Sequence, residues 1–222
     1  MVTINPGFYV PILRPLLRGF GYLYPLYSGC GTIANAPIFR AVTPSQPILV
    51  SLKNKLKVWI DPTDYIGKSI YYFGELDPKV TFICRRLLEK GDIFIDIGAN
   101  MGLVSLNCAD ILQDRGEIHA FEPNPDLVEM LNKTVAANQM KNFVIHRVGL
   151  SDRDGNAQMY ICSENQGRSS LSSQVSDQKI SIAIRDSARA LSEIIENNDA
   201  PYLIKIDIEG DEHVVIKRAK KI

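Results

Sequence analysis

Three observations point to an α/β fold, a parallel sheet with helices on both faces. Strand-like and helix-like stretches alternate from Ile93 onward, a glycine-rich turn follows the first of those strands, and the 222 residues are 45% apolar and 23% charged, enough to bury a core. The length suits one domain of roughly 100–200 residues with an extension. The expected organisation is an N-terminal arm over 1–47, a hairpin and helix over 48–91, and the α/β domain over 92–222.

The arm comes first. Its apolar stretch from Ile4 to Tyr27 is interrupted by Pro6, Pro11, Pro15 and Pro25 and charged by Arg14 and Arg18. It is therefore not an unbroken apolar helix of about 20 residues, and it lacks the order of a signal peptide. It reads as an arm packed on the domain, with docking on a partner or a membrane surface as the alternative. A cytoplasmic location is expected. Ile48 to Ile60 alternates apolar and polar residues around Lys53-Asn54-Lys55, which predicts an antiparallel hairpin. Asp77 then caps a helix with Pro78 in its first position, an apolar stripe at Val80, Ile83, Leu87 and Leu88, and a stop at Gly91.

From there the pattern predicts strands at Ile93–Ile97, Ile118–Phe121 and 143–148, with helices at Leu103–Leu112 and 127–135 between them. Asn124 and Pro125 supply the second helix with its cap and first residue. Ala157–Cys162 and Ile180–Arg185 read as further strands. The 17 residues between them, Ser163 to Lys179, hold six serines and little apolar content, so they read as a lid or as disorder. A helix near Asp186, a strand over 202–208 and a helix from about Asp211 to Ala219 complete the chain.

Charge and cysteine content narrow the partners. Twenty-five basic residues balance twenty-five acidic ones, leaving no general cationic field to hold nucleic acid. Cys30, Cys84, Cys108 and Cys162 form no close pair of the kind a zinc ribbon or redox dithiol needs, and read as free thiols in a reducing compartment.

The strongest chemical signal is Asp96-Ile97-Gly98-Ala99-Asn100-Met101-Gly102, where an apolar strand gives way to a helix. Glycines there let the backbone turn and approach a ligand. Glu122 ends the next strand 24 residues after Gly98, where a carboxylate can grip a ribose. Asn100 stands where a dinucleotide fingerprint would need glycine and Leu103 where it would need glycine or alanine, which disfavours an NAD(P)-dependent oxidoreductase. Asp96 would repel a pyrophosphate and suits a ligand bearing ammonium and sulfonium groups, such as S-adenosyl-L-methionine; its alternative role is to cap the following loop. A second signal is Leu203-Ile-Lys-Ile-Asp-Ile-Glu-Gly210. In a strand, Lys205, Asp207 and Glu209 share one face, where burial demands that they pair or serve a ligand. Lys205 could form an ion pair with one carboxylate, and Glu209 could serve the start of the last helix.

Taken in order, Asp96-Ile-Gly-Ala-Asn-Met-Gly102, Ala120-Phe-Glu-Pro-Asn-Pro125, Gly149-Leu-Ser-Asp152 and Lys205-Ile-Asp-Ile-Glu-Gly210 resemble the successive motifs of FkbM-type methyltransferases. The likeness covers roughly Asp61 to Ala219, including Asp64-Tyr-Ile-Gly67 and Phe73-Gly74. It implies a Rossmann-like class I methyltransferase that uses S-adenosyl-L-methionine, commonly on a hydroxyl of a small molecule or glycoconjugate. By this resemblance Gly98, Ala99, Asn100 and Gly102 shape the cofactor loop, Glu122 holds the ribose hydroxyls, Leu150 to Asp152 lie near adenine, and Asp207 sits beside the methyl donor. That fold continues its sheet by three more strands where this chain stops, so a truncated copy or fragment is expected. Its last strand would be an open edge through which copies could associate. A non-catalytic cofactor-binding protein is the corresponding alternative.

For the chemistry, Asp207 is the expected base and Glu209 the second choice, while a divalent cation held by both is a further route. His213, one turn into the last helix, is a candidate proton shuttle. His119 and His146 lie in strands and read as hydrogen-bonded core residues. Ser169 and Ser170, within Gly167-Arg-Ser-Ser-Leu171, resemble a family segment that could touch substrate.

Overall fold

The computed structural model describes residues 6–26, 28–162, 178–196 and 200–220. Pro6–Leu23 form one helix, α1, with Pro11 and Pro15 inside it. This corrects the expectation that the prolines interrupt the segment. Each removes one ladder N–H, but both lie on the exposed side, where water can satisfy the carbonyls left over. The opposite side packs so closely that a Cβ on Gly21 would lie 2.3 Å from the Tyr72 carbonyl oxygen. No helix among the described residues is long and apolar enough to cross a membrane.

Two short helices follow, α2 (Cys30–Ala34) and α3 (Pro37–Arg40), and then the antiparallel hairpin of β1 (Ile48–Ser51) and β2 (Lys57–Ile60). Helix α4 (Tyr65–Phe73) begins at Asp64, whose carboxylate accepts from the Ile66 and Gly67 amides, and ends at Gly74 with φ +68°. The Asp64–Gly67 and Phe73-Gly74 segments noticed in the sequence are the two ends of this helix. In α5 (Pro78–Leu87) the expected apolar stripe holds in part: Val80 packs on the core and Leu88, just past the helix, is buried. Ile83 and Leu87 are exposed, and the residues turned inward are Thr81 and Cys84, with Leu88 following them. Small side chains let α5 lie close to α6 (Leu103–Leu112), while Phe82, Ile83 and Leu87 remain outside.

The main sheet contains β3 (Ile93–Ile97), β4 (Glu117–Phe121), β5 (Phe143–His146) and, after a small second sheet, β9 (Tyr202–Ile206). All pair in parallel, in the order β5-β4-β3-β9. The second sheet joins β6 (Gly149–Ser151), β7 (Gly155–Tyr160) and β8 (Lys179–Asp186). Gly149–Ser151, the first three residues of the Gly149–Asp152 motif, are a strand paired with β8. Alternation along the main strands fills both faces. Phe94, Ile118 and Ala120 meet Cys84 of α5, Cys108 and Leu112 of α6, and Leu131 of α7 (Pro125–Ala137). Ile93, Ile95, Ile97 and Phe121 meet α8 (Ser187–Ile195) and Val215 of α9 (Glu212–Ala219).

The hairpin is tied to this core by side chains rather than by another strand. Trp59 N donates to Thr134 Oγ1 at 2.9 Å, and Asn138 of the helix C-cap both accepts from Lys57 N (2.8 Å) and donates to Lys57 O (2.6 Å). The edge of β2 is thereby satisfied where it would otherwise invite pairing with another chain.

Candidate functional site

The site begins where β3 ends. Gly98 turns the chain with φ +76°, and the amides of Gly98 and Ala99 both donate to the Phe121 carbonyl, each at 3.0 Å. A Cβ on Gly98 would lie 1.9 Å from the Asp207 carbonyl oxygen, so no other residue fits. Asp207 N in turn donates to Ile97 O at 3.0 Å. The carboxyl ends of β3, β4 and β9 therefore meet at one point, the place where open parallel sheets bind ligands. Asn100 is also left-handed, φ 52°, and its Oδ1 accepts from Met101 N.

Glu122 closes the floor of a cavity on one side of this turn. Its Oε1 accepts from Asn124 N and its Oε2 from Asn100 N, both at 2.9 Å. Burial pushes its pKa up to about 7, against the pull of those two amides and of Lys205. Gly98, Asn100, Phe121, Val148, Leu150, Met159 and Asp211 are among the residues that line this first cavity, which opens to solvent. Asp211 is also pushed upward by burial.

Asp96 is elsewhere. Its carboxylate is fully buried and borders neither this cavity nor its neighbour. Oδ2 accepts from Ser105 Oγ at 2.6 Å, and Oδ1 lies 3.0 Å from Lys205 Nζ. The register of β3 against β9 sets Asp96 beside Lys205 on adjacent strands. Lys205 also donates to Gly98 O at 2.8 Å and lies 3.9 Å from Asp207 Oδ2. Burial alone would lower the Lys205 pKa, but the carboxylates of Asp96 and Asp207 outweigh it and hold the ammonium above its ordinary value. The expected ion pair of Lys205 exists, and its main partner is across the sheet rather than along its own strand.

A second cavity lies on the other side of the turn. Tyr65, Ile66, Glu75, Leu76 and Asp77 from the α4 and α5 ends face Ala99, Met101 and Lys205 across it. The two cavities share Gly98, Asn100, Asp207 and Glu209. Glu75 accepts from Leu76 N and from Asn107 Nδ2, and burial raises its pKa.

A family model described as the methyltransferase FkbM domain matches residues 96–222. The chain belongs to the FkbM methyltransferase family. Among solved structures, it resembles an FkbM methyltransferase from Methylobacillus flagellatus at 18% identity and a TM-score of 0.43, covering 71% of this chain and 39% of that one. It also resembles a precorrin-6y C5,15-methyltransferase from Geobacter metallireducens (25% identity, TM-score 0.28, 31% and 35% covered) and P. horikoshii TYW2 (14% identity, TM-score 0.35, 48% and 37% covered). The chain thus spans between a third and two-fifths of each of these solved chains. No curated protein matches it.

In this FkbM chain the other sequence candidates divide. Leu150 borders the first cavity, whereas Asp152 lies past the end of β6 with its side chain more than half exposed and borders neither. Gly102, φ +77°, also borders neither; it opens α6, where a Cβ would meet Leu131 Cδ1 at 2.5 Å. The strand expected to run to Ile208 ends at Ile206, so Asp207 and Glu209 lie on the loop beyond it, and Glu209 is left-handed with φ 54°. Glu212, in the first turn of the last helix, ties down the preceding loop by accepting from the Ile208 and Gly210 amides. His213 is exposed on α9 and borders neither cavity, which removes the geometric basis for a shuttle. His119 Nδ1 and His146 Nε2 are 3.0 Å apart within the sheet, with His146 stacked on Phe121. Ser169 and Ser170 lie outside the described residues. Among the described residues, no three His, Cys, Asp or Glu side chains gather as a metal site would require. Tyr65, Glu75 and Asp211 were missed.

Two outcomes follow from the buried charges. Replacing Lys205 by Met strands the Asp96 carboxylate and should cost about 3–5 kcal/mol in urea unfolding followed by the fluorescence of Trp59, the only tryptophan. Adding Asp96→Asn should restore part of it; equal stability of Lys205→Met and the parent would contradict the pairing. For Glu122, the folded pKa of about 7 exceeds the ordinary 4.5, so the folded state holds a proton that the unfolded chain releases between those values. Its contribution to stability therefore falls as pH rises from about 4.5 to about 7. In Glu122→Gln that decline should be absent from unfolding midpoints measured across the window, and parallel pH profiles would refute it.

Proposed function

We propose that this chain carries donor and acceptor sites of an S-adenosyl-L-methionine-dependent methyltransferase acting on a hydroxyl oxygen of a small molecule or glycoconjugate. Family membership supports methyl transfer in general. The observation that carries the finer reading is the pair of cavities adjoining at Asp207, with the buried carboxylate of Glu122 in the first.

The residues fit such a cofactor. Each Glu122 oxygen accepts one amide, and a carboxylate has about four acceptor positions, so two vicinal ribose hydroxyls can still be held. Val148, Leu150 and Met159 offer apolar walls to an adenine. Among the described residues no lysine or arginine borders the first cavity, while Glu122, Asp207, Glu209 and Asp211 do. That balance suits a cationic ligand and opposes a pyrophosphate. When bound, S-adenosyl-L-methionine supplies a methyl group on a positively charged sulfur.

The chain's own part is to orient the acceptor and take its proton. Asp207 borders both cavities, so its carboxylate can accept the proton of a hydroxyl presented from the second one. Lys205 steadies that carboxylate from 3.9 Å, and Glu209 stands on the same loop as the alternative base. Tyr65, Glu75 and Asp77 offer acceptor-side hydrogen bonds to a polyhydroxylated compound.

Glu122→Ala should weaken S-adenosyl-L-methionine binding by calorimetry at least about tenfold, as expected for losing hydrogen bonds to a charged group. Asp207→Asn should keep the Kd while lowering transfer of labelled methyl to a sugar-containing extract by about 10²–10⁴-fold. A Kd unchanged by Glu122→Ala would count against the reading. Binding with no transfer by the parent chain would favour a non-catalytic cofactor-binding protein.

A further inference from the structure

The balanced formal charge of the chain conceals a strong asymmetry. The first 60 residues hold six basic side chains, Arg14, Arg18, Arg40, Lys53, Lys55 and Lys57, and no aspartate or glutamate. The other 162 residues hold 19 basic and 25 acidic side chains. Helix α1 lies within the acid-free part. Its inner side is fixed against α4 by the close approach of Gly21 to the Tyr72 carbonyl.

On its outer side Ile12, Leu16, Phe20 and Leu23 are 59%, 64%, 50% and 81% exposed. Their spacing of four, four and three residues puts them in one stripe along the helix. Cations stand to one side of that stripe and meet it at Leu23, which lines one hollow with Arg18 and Tyr22: Arg18 lies over the Tyr71 ring at 4.7 Å, and Lys53 over the half-exposed Tyr22 ring at 5.4 Å. Ile12, Leu16 and Leu23 belong neither to the core nor to either cavity of the candidate site, while the half-exposed Phe20 also meets the core rings of Phe39 and Phe73, each at 6.4 Å between centroids.

From these observations we infer that α1 is an interfacial helix that seats the protein on an anionic lipid surface. The apolar stripe enters the boundary between headgroups and acyl chains, Tyr22 sits at headgroup depth, and the basic rim meets the lipid phosphates. The charge pattern selects this occupant. A second copy using the same face would bring two acid-free, positively charged segments together, and nucleic acid would leave the apolar stripe without a counterpart. The site is independent of the methyl-transfer reading.

The test is co-sedimentation of the whole chain with vesicles of phosphatidylglycerol mixed with phosphatidylcholine, and with phosphatidylcholine alone. Binding is expected to the anionic vesicles, to weaken as salt is raised, and to fall at least tenfold on the neutral ones. Leu16→Glu combined with Leu23→Glu should abolish it while leaving thermal unfolding unchanged, because both side chains point outward. Absence of binding to anionic vesicles, equal binding to both compositions, or binding unaffected by the double variant would each overturn the inference. So would sedimentation velocity showing that the double variant breaks a self-associated form, since the face would then cover a second copy.

Discussion

The ammonium of Lys205 is the tie on which the site depends. It lies in a nearly closed space between the fully buried Asp96 carboxylate and the Gly98 carbonyl. A lone carboxylate at that depth would cost several kcal/mol, and so would a lone ammonium. Together they lock β3 to β9 at the level where both strands end. The Gly98 turn follows from that lock. With the Asp207 carbonyl pressed against Gly98, the strand ends come close enough for the Phe121 carbonyl to receive two amides from the loop. Polar groups that would be costly inside the sheet thus define its functional edge.

This arrangement separates two chemical environments by a single loop. On one side Glu122, raised in pKa by burial and held by two amides, faces apolar walls. On the other, Tyr65, Glu75 and Asp77 come from helices that precede the sheet in the chain. Asp207 borders both. The N-terminal elements are therefore part of the site. They are fixed there by the Asp64 cap, by the packing of α1 on α4, and by Thr134 and Asn138, which complete the edge of β2.

Much of this is legible in the sequence because it is local. Helix α6 runs from Leu103 to Leu112 as its periodicity requires, and Asn124 and Pro125 cap α7 as their types predict. Gly98 and Glu122 stand where a turn and a strand end call for them. Failures came from information carried by pairing and packing. The partner of Lys205 depends on strand register, so a carboxylate at the end of β3 reads as a ligand group although Asp96 pairs with Lys205 across the sheet. The buried face of α5 is set by the small Thr81 and Cys84 against α6, which no hydrophobic stripe announces. Helix α1 survives Pro11 and Pro15 because tertiary packing outweighs local propensity. Two signals were available and unread: Asp64 with Gly74 bracketing α4, and Glu212 placed to bind the amides of the preceding turn.

The most direct measurement is a crystal structure of the chain with adenosylhomocysteine, the demethylated form of the proposed cofactor. The account predicts ribose hydroxyls within hydrogen-bonding distance of the Glu122 carboxylate, adenine against Leu150 and Met159, and the sulfur directed toward Asp207 and the second cavity. Density for the ligand away from Glu122, or a ribose bound there with its sulfur turned away from Asp207, would contradict it.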